Sequence, residues 1–264
     1  MRFIGFLKDA FKLLLKEPKL FIPKILVAIL YSIPMLLGAY VLLTNAQLID
    51  EVLKSPMISQ RQASGLLSLL IALLAIFFIT LFAFVVDILV NAMYPIIVDD
   101  FYKHKKISLW KAFASSWRNF FRIVPIGFGI LILVMMPLSI AAAHFGTIAS
   151  NFFQLASAIA ALSIIAALAI AAIFYFLYPT IMLENRPVAS CLRRNFALVK
   201  NNKATVAGAS LIALATDILS LGLSFVSVFE PLVLFVFIGE RLLVTILFTY
   251  NAILNQVIYL GVSK

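Results

Sequence analysis

Four side chains that are charged at neutral pH, Asp87, Asp217, Glu240 and Arg241, lie inside long apolar runs of this chain. An ionisable group in hydrocarbon costs roughly 2.5 to 3.5 kcal/mol on insertion scales, so each marks either a functional site or a pairing requirement. At about 1.5 Å of rise per residue, Asp87 stands about 16 Å, Asp217 about 20 Å and Arg241 about 15 Å from the ends of their runs, near a bilayer midplane. Three carboxylates and one guanidinium there would suit a proton, a cation or a cationic solute.

Polar residues share the same helical faces. At about 100° per residue, Thr80, Asn91 and Tyr94 fall near Asp87, Ser210, Ser220 and Ser224 near Asp217, and Asn251 and Asn255 in the arc between Glu240 and Arg241. Such faces are expected to meet protein or water rather than lipid. The structural reading of this polar cluster (Asp87, Asp217, Glu240, Arg241, Asn91, Asn251 and Asn255) has Arg241 pairing with Asp217 or Asp87. The remaining carboxyls are then protonated, and the polar faces hold helix to helix. The functional reading is a midplane site for transport.

Enzyme chemistry finds little footing. Two histidines and one cysteine cannot furnish a hydrolytic zinc site of the usual composition, so no metal and no cofactor is expected. His104 among lysines and His144 at the end of an apolar run read as interface residues, and Cys191 as a small residue on an amphipathic helix. Ser210 follows Gly208-Ala209 but has no histidine positioned as its base. Val86-Asp87-Ile88-Leu89 and Thr216-Asp217-Ile218-Leu219 present two carboxylates, the apparatus of an aspartyl protease. The second resembles that of the intramembrane aspartyl proteases only in its aspartate, lacking the preceding Gly-x-Gly and any Pro-Ala-Leu. The expectation is a protein that is not an enzyme.

The elements that must position these residues are membrane spans. Hydrophobic residues make up 64% of the chain and charged ones 12%, against about 45–50% and 25% in soluble domains. Apolar runs of about 20 residues are needed to cross a bilayer. Six are found, at approximately 21–44, 66–98, 123–144, 152–182, 204–229 and 231–262.

Lysine and arginine set the orientation. Eighteen of the 21 basic residues fall on the side of the termini and the second and fourth connections, while Lys54 and Arg61 face the other side and Arg241 lies in the sixth run. Both termini are therefore expected in the cytoplasm of a multi-pass cell-membrane protein. The net charge of +10 becomes a cytoplasmic collar attracted to anionic lipid headgroups. Nucleic acid is not expected as a partner, since no basic domain stands free of the membrane; partner proteins or further copies of the chain are left open.

Three basic segments have helical periodicity. Phe3, Phe6, Leu7, Ala10, Phe11 and Leu14 oppose Lys8, Lys12 and Lys16. Leu109, Phe113, Trp117, Phe120 and Phe121 oppose Lys111, Ser115, Arg118 and Arg122, with Lys105 and Lys106 just before. Val188, Leu192, Phe196 and Val199 oppose Arg193, Arg194 and Lys200. Each abuts a span and reads as an interfacial helix touching headgroups, with Lys24 snorkelling to the interface.

Tyr94-Pro95 and Tyr178-Pro179 each close an apolar run, and Phe113 and Phe196 follow 19 and 18 residues later. The expected architecture is all-α: six transmembrane helices as three parallel hairpin repeats, at approximately 1–98, 99–182 and 183–264, in one domain. An interfacial helix precedes each hairpin, and an external loop at 45–64 follows the first span.

The order of Tyr-Pro, basic amphipathic helix and outbound span, carried by residues 94–124 and 178–206, resembles a prokaryotic group of six-helix membrane proteins. That group includes the membrane domain accompanying some glycerophosphodiester phosphodiesterases. The resemblance implies a membrane module without hydrolase activity, and it carries no functional residue onto this chain. The three-hairpin plan is also similar in shape to mitochondrial carriers, whose Pro-x-Asp/Glu-x-x-Lys/Arg signature is missing here.

Overall fold

A computed structural model describes residues 2–54, 59–149, 153–184, 186–229 and 233–263. Lys264 and Pro231 lie outside these residues, as do the side chains of Arg2, Arg61, His144 and Ser224. Among the described residues every regular element is helical, and six helices are long and apolar enough to cross a membrane. By length and composition the chain is a multi-pass membrane protein. Its contacts group into two units, Ile22–Asp87 and the remainder, Met1–Phe21 with Ile88–Lys264.

The first unit holds α2 (Ile22–Thr44), α3 (Ala46–Lys54) and the first part of α4 (Gln60–Tyr102). The expected loop at 45–64 is therefore largely helix. Leu48 and Val52 lie one turn apart on α3 with Asp50, Glu51 and Lys54 around them, and Asp50 and Lys54 pair at 2.7 Å, an i,i+4 spacing that supports a short helix. Leu48 packs against Gly65 so closely that a Cβ there would meet it at 2.8 Å.

The second unit contains α1 (Arg2–Lys16), the single turn Pro18–Phe21 and the last part of α4. It continues through α5 (Leu109–Arg118), α6 (Phe120–Ala149), α7 (Phe153–Ile173), α8 (Leu177–Glu184), α9 (Val188–Asn201), α10 (Lys203–Phe229) and α11 (Val233–Val262). Here α6 lies against α7 and α10 against α11, while α1 runs along α11. Ile253, Leu254, Val257, Ile258 and Tyr259 make α11 the buried axis of this unit.

α1 docks through Phe6, Ala10, Leu13 and Leu14. Gly261 permits the approach, since a Cβ there would collide with the Phe6 ring. The Tyr250 hydroxyl donates to Leu7 O at 3.3 Å, and the fully buried Tyr94 donates to Leu20 O at 2.8 Å.

Both Tyr-Pro pairs lie within helices, α4 and α8, but the runs that they close differ. α4 continues through Pro95 to Tyr102 because Ile97 and Val98 are buried in the second unit, which holds the chain helical past the lost donor. The fourth apolar run, expected as one span, is interrupted between Ile173 and Leu177. Asn195 of α9 spans the gap: its Oδ1 accepts from Phe176 N at 2.9 Å and its Nδ2 donates to Ile173 O at 2.6 Å. Ala112, one residue before Phe113 as Asn195 is before Phe196, has no such side chain, and the matching stretch of α4 is unbroken.

Candidate functional site

Pairing within the spans differs from expectation. Lys24 does not snorkel: it is 7% exposed, and its Nζ donates to Asp87 Oδ1 at 2.7 Å. Both residues belong to the first unit, where α2 carries the lysine two residues into the helix and α4 supplies the carboxylate. Burying the ammonium is tolerable because an opposite charge meets it. Arg241 pairs with neither aspartate. Its Nη2 donates to the adjacent Glu240 Oε1 at 3.0 Å, and its guanidinium stands 5.0 Å from the Phe237 ring. A long guanidinium can fold back on its neighbour, whereas Asp217 stands exposed on α10 and forms no ion pair with a described residue. Among the described residues no cluster of ligands fit for a metal occurs.

The uncharged members of the cluster do converge, all within the second unit. Asn91, Asn251 and Asn255 line one cavity of about 200 Å³ together with Tyr175, Tyr178, Gln256 and three alanines. Sequence spacing did not single out Tyr175 or Gln256, and Tyr178 only as half of Tyr178-Pro179; Pro179 lies just past the helix break that brings Tyr175 there, but Pro95 holds the matching place in the unbroken α4. Asn255 Nδ2 donates to Tyr175 O at 2.6 Å, a carbonyl whose helical donor would be the nitrogen of Pro179, which has no N–H. Gln256 Nε2 in turn donates to Asn255 Oδ1 at 2.9 Å. Asn251 Nδ2 donates at 3.1 Å to Thr216 Oγ1, which itself donates to Ile212 O.

The basic residues assigned to headgroups sort into two sets. Lys8, Lys12, Lys16, Lys105, Lys106, Arg193 and Lys200 are exposed and form no ion pair with a described residue. Lys111 instead grips Asp100 at 2.7 Å, and Arg194 bonds Glu184 Oε1 at 3.3 Å and Ser263 O at 3.0 Å. Glu184 also accepts from the Tyr259 hydroxyl at 2.8 Å, so it ties α8, α9 and α11 together, and Arg194 is a structural residue.

A second cavity, about 320 Å³, is lined by Lys16, Lys19, His104, Lys105 and Lys106, with Glu17 the one carboxylate on its wall. It forms because α4 ends abruptly. His104 adopts φ of 53°, His104 N donates to Phe101 O at 3.0 Å and Lys105 N to Asp100 O at 2.8 Å, the paired bonds of a Schellman cap whose left-handed position usually holds glycine. This turns Lys105 and Lys106 back toward the end of α1, where Lys16 Nζ lies 5.6 Å from the Phe101 ring.

The three basic amphipathic helices differ in what they bury: α1 turns Phe6, Ala10 and Leu14 of its apolar row inward, whereas α5 and α9 bury other positions. α5 turns Ala112 and Ser116 inward and α9 turns Cys191, Asn195 and Leu198 inward. On α5 and the first turn of α6 large apolar residues face out: Trp110 is 77%, Trp117 57% and Phe121 88% exposed, Phe121 belonging to α6. Phe113 stacks on Trp117 with centroids 6.2 Å apart. On α1, Ile4, Phe11 and Leu15 form a second, outward apolar row beside Lys8 and Lys12. Cys191 Sγ donates weakly to Arg186 O at 3.5 Å, and burial pushes its thiol above the ordinary value.

No family model, no curated protein and no solved structure matches this chain.

Proposed function

We propose that the protein is a non-enzymatic membrane module that gathers anionic lipids around a basic cytoplasmic collar, with both termini on the cytoplasmic side of the cell membrane. The observation that carries this reading is the outward aromatic face of α5, whose inward positions are Ala112 and Ser116. A contiguous outward patch of tryptophan and phenylalanine is not sustained in water, whereas the bilayer interface favours amphipathic aromatic rings at headgroup depth. α5 then has a small-residue stripe for protein and a large apolar stripe for acyl chains, and the exposed lysines and arginines of α1, α5 and α9 offer an edge for phosphates. The cavity of Lys16, Lys19, His104, Lys105 and Lys106 adds a place where several cations and one acid would meet a phosphodiester, each basic residue near an anionic surface contributing about 1 kcal/mol.

The paired charges of the spans argue against a cation permease, and Asp217, exposed on α10 without an ion pair to a described residue, lies on neither cavity's wall. Lys24 already neutralises Asp87 and Glu240 already neutralises Arg241, so neither pair offers a free site of net charge. The resemblance to the phosphodiesterase membrane domain fits a module of this kind.

The test is lipid selectivity at the protein boundary. With spin-labelled lipids in mixed phosphatidylcholine and phosphatidylglycerol bilayers, the motionally restricted population is expected to favour phosphatidylglycerol. The preference should fall with salt and in the triple variant Lys16→Gln, Lys105→Gln, Lys106→Gln. An equal restricted population for both lipids in the wild-type protein would contradict the proposal.

A further inference from the structure

We infer that the cavity lined by Asn91, Tyr175, Tyr178, Asn251, Asn255 and Gln256 is a hydrated binding site for a small uncharged molecule bearing hydrogen-bond donors and acceptors, such as an amide or a polyol. The inference is independent of the lipid collar. Three spans and the break after α7 supply the lining, and every polar group on it is a carboxamide or a phenol. A charged solute entering from water would lose its hydration and meet no counter-charge.

The orientation of the amides follows from their partners. Tyr175 O can only accept, so the Asn255 group facing it is Nδ2, its Oδ1 faces Gln256, and Gln256 presents Nε2 to it. Thr216 has given its proton to Ile212 O, so it accepts from Asn251 Nδ2. This accounting leaves Asn251 Oδ1 as an open acceptor. The Asn91 carboxamide makes no hydrogen bond with any described residue, so its donors and its acceptor are both open. Asn91 and Asn251 are only half-buried.

Unpartnered amide groups at membrane depth are tolerated where they line water or a ligand. A carboxamide that offers donor and acceptor side by side selects a partner with the same pair in reverse. The tyrosine rings and alanines provide apolar walls against the rest of such a molecule. The volume of about 200 Å³ equals roughly six to seven waters at their liquid volume, so the occupant is small.

The experiment uses the full-length protein in proteoliposomes with Cys191→Ser, which removes the one native thiol. Ala213→Cys places a thiol on the cavity wall. Leu211→Cys places one on the exposed face of the same helix, where Leu211 is 60% exposed. Ala252→Cys is a second wall position. Three methanethiosulfonates of similar size are compared: hydroxyethyl, aminoethyl and sulfonatoethyl. The wall thiols are expected to react with the neutral reagent about tenfold or more faster than with either charged one, and Leu211→Cys with none. Excess acetamide or glycerol should slow the neutral reaction at the wall, and Asn91→Leu should abolish that protection. Failure of both wall thiols to react would show a sealed interior and overturn the inference. Equal rates for all three reagents would show a cleft open to bulk water without selectivity. Rates indifferent to both acetamide and glycerol would show hydration without binding. Either result also overturns it.

Discussion

Asn195 and Phe176 are joined by a buried hydrogen bond of 2.9 Å from the Phe176 amide to the Asn195 side-chain oxygen. The same carboxamide donates to Ile173 O at 2.6 Å, so one side chain on α9 satisfies both ends of the break between α7 and α8. Asn195→Leu keeps the branching of the side chain and removes both bonds. Leaving a buried donor and a buried acceptor unmet costs about 1–3 kcal/mol each. The unfolding midpoint in detergent should drop by several degrees, with Asn195→Asp less damaging because it retains the acceptor. A midpoint unchanged by Asn195→Leu would mean that the break closes without its cap.

Lys24 and Asp87 form a second dependency. Lys24→Met leaves the carboxylate without its counter-charge and should destabilise by about 3 kcal/mol, the low end for breaking a buried pair. Lys24→Met with Asp87→Leu should recover most of the loss. Denaturation of the two variants beside the wild type in one detergent measures this. A double variant no better than the single would contradict pairing as the reason both residues are there.

Gly261 of α11 faces the Phe6 ring of α1. A methyl at this position meets the Phe6 ring, and overpacking of this kind costs about 1–3 kcal/mol. Gly261→Ala should therefore lower stability, and adding Phe6→Leu should restore part of it. Protease accessibility of the α1 segment is a convenient readout, rising in the single variant and falling back in the double.

Cys191 is fully buried, and burial holds its thiol protonated above the ordinary value of 9.0. Since the folded pKa is raised, the associated stability is complete below the unfolded value. It is lost as pH rises through the folded one, because the unfolded thiol ionises first. Maleimide at neutral pH should label the folded protein slowly and the denatured protein fast. Cys191→Ser should flatten the fall in stability on the alkaline side. Rapid labelling of the folded protein would contradict the burial.

The spans were legible because each depends only on a long apolar run, and all six fall where hydropathy puts them. The break at residues 174–176 was not legible: Phe174-Tyr175-Phe176 is as apolar as the rest of its run, and the residue that stabilises the break lies 19 positions later, at Asn195. Lys24 looked like an interface residue because its partner is 63 positions away. Which face of α5 meets protein was not legible either. Periodicity separates large apolar from polar residues but does not tell which neighbour is protein and which is lipid, and there the small stripe won the protein side. Of the polar cluster, Asn91, Asn251 and Asn255 came together within one unit, while Arg241 took the carboxylate beside it.

The two tryptophans of the chain both lie on α5, so intrinsic fluorescence reports on the outward face of that helix alone. The central claim is that this face lies in the bilayer interface, and depth-dependent quenching in proteoliposomes tests it directly. With Trp110 and Trp117 seated at headgroup depth, phospholipids brominated high on the acyl chain should quench strongly, those brominated near the chain end less, and aqueous iodide weakly. Strong quenching by iodide with no response to brominated lipid would place α5 in water and contradict the account.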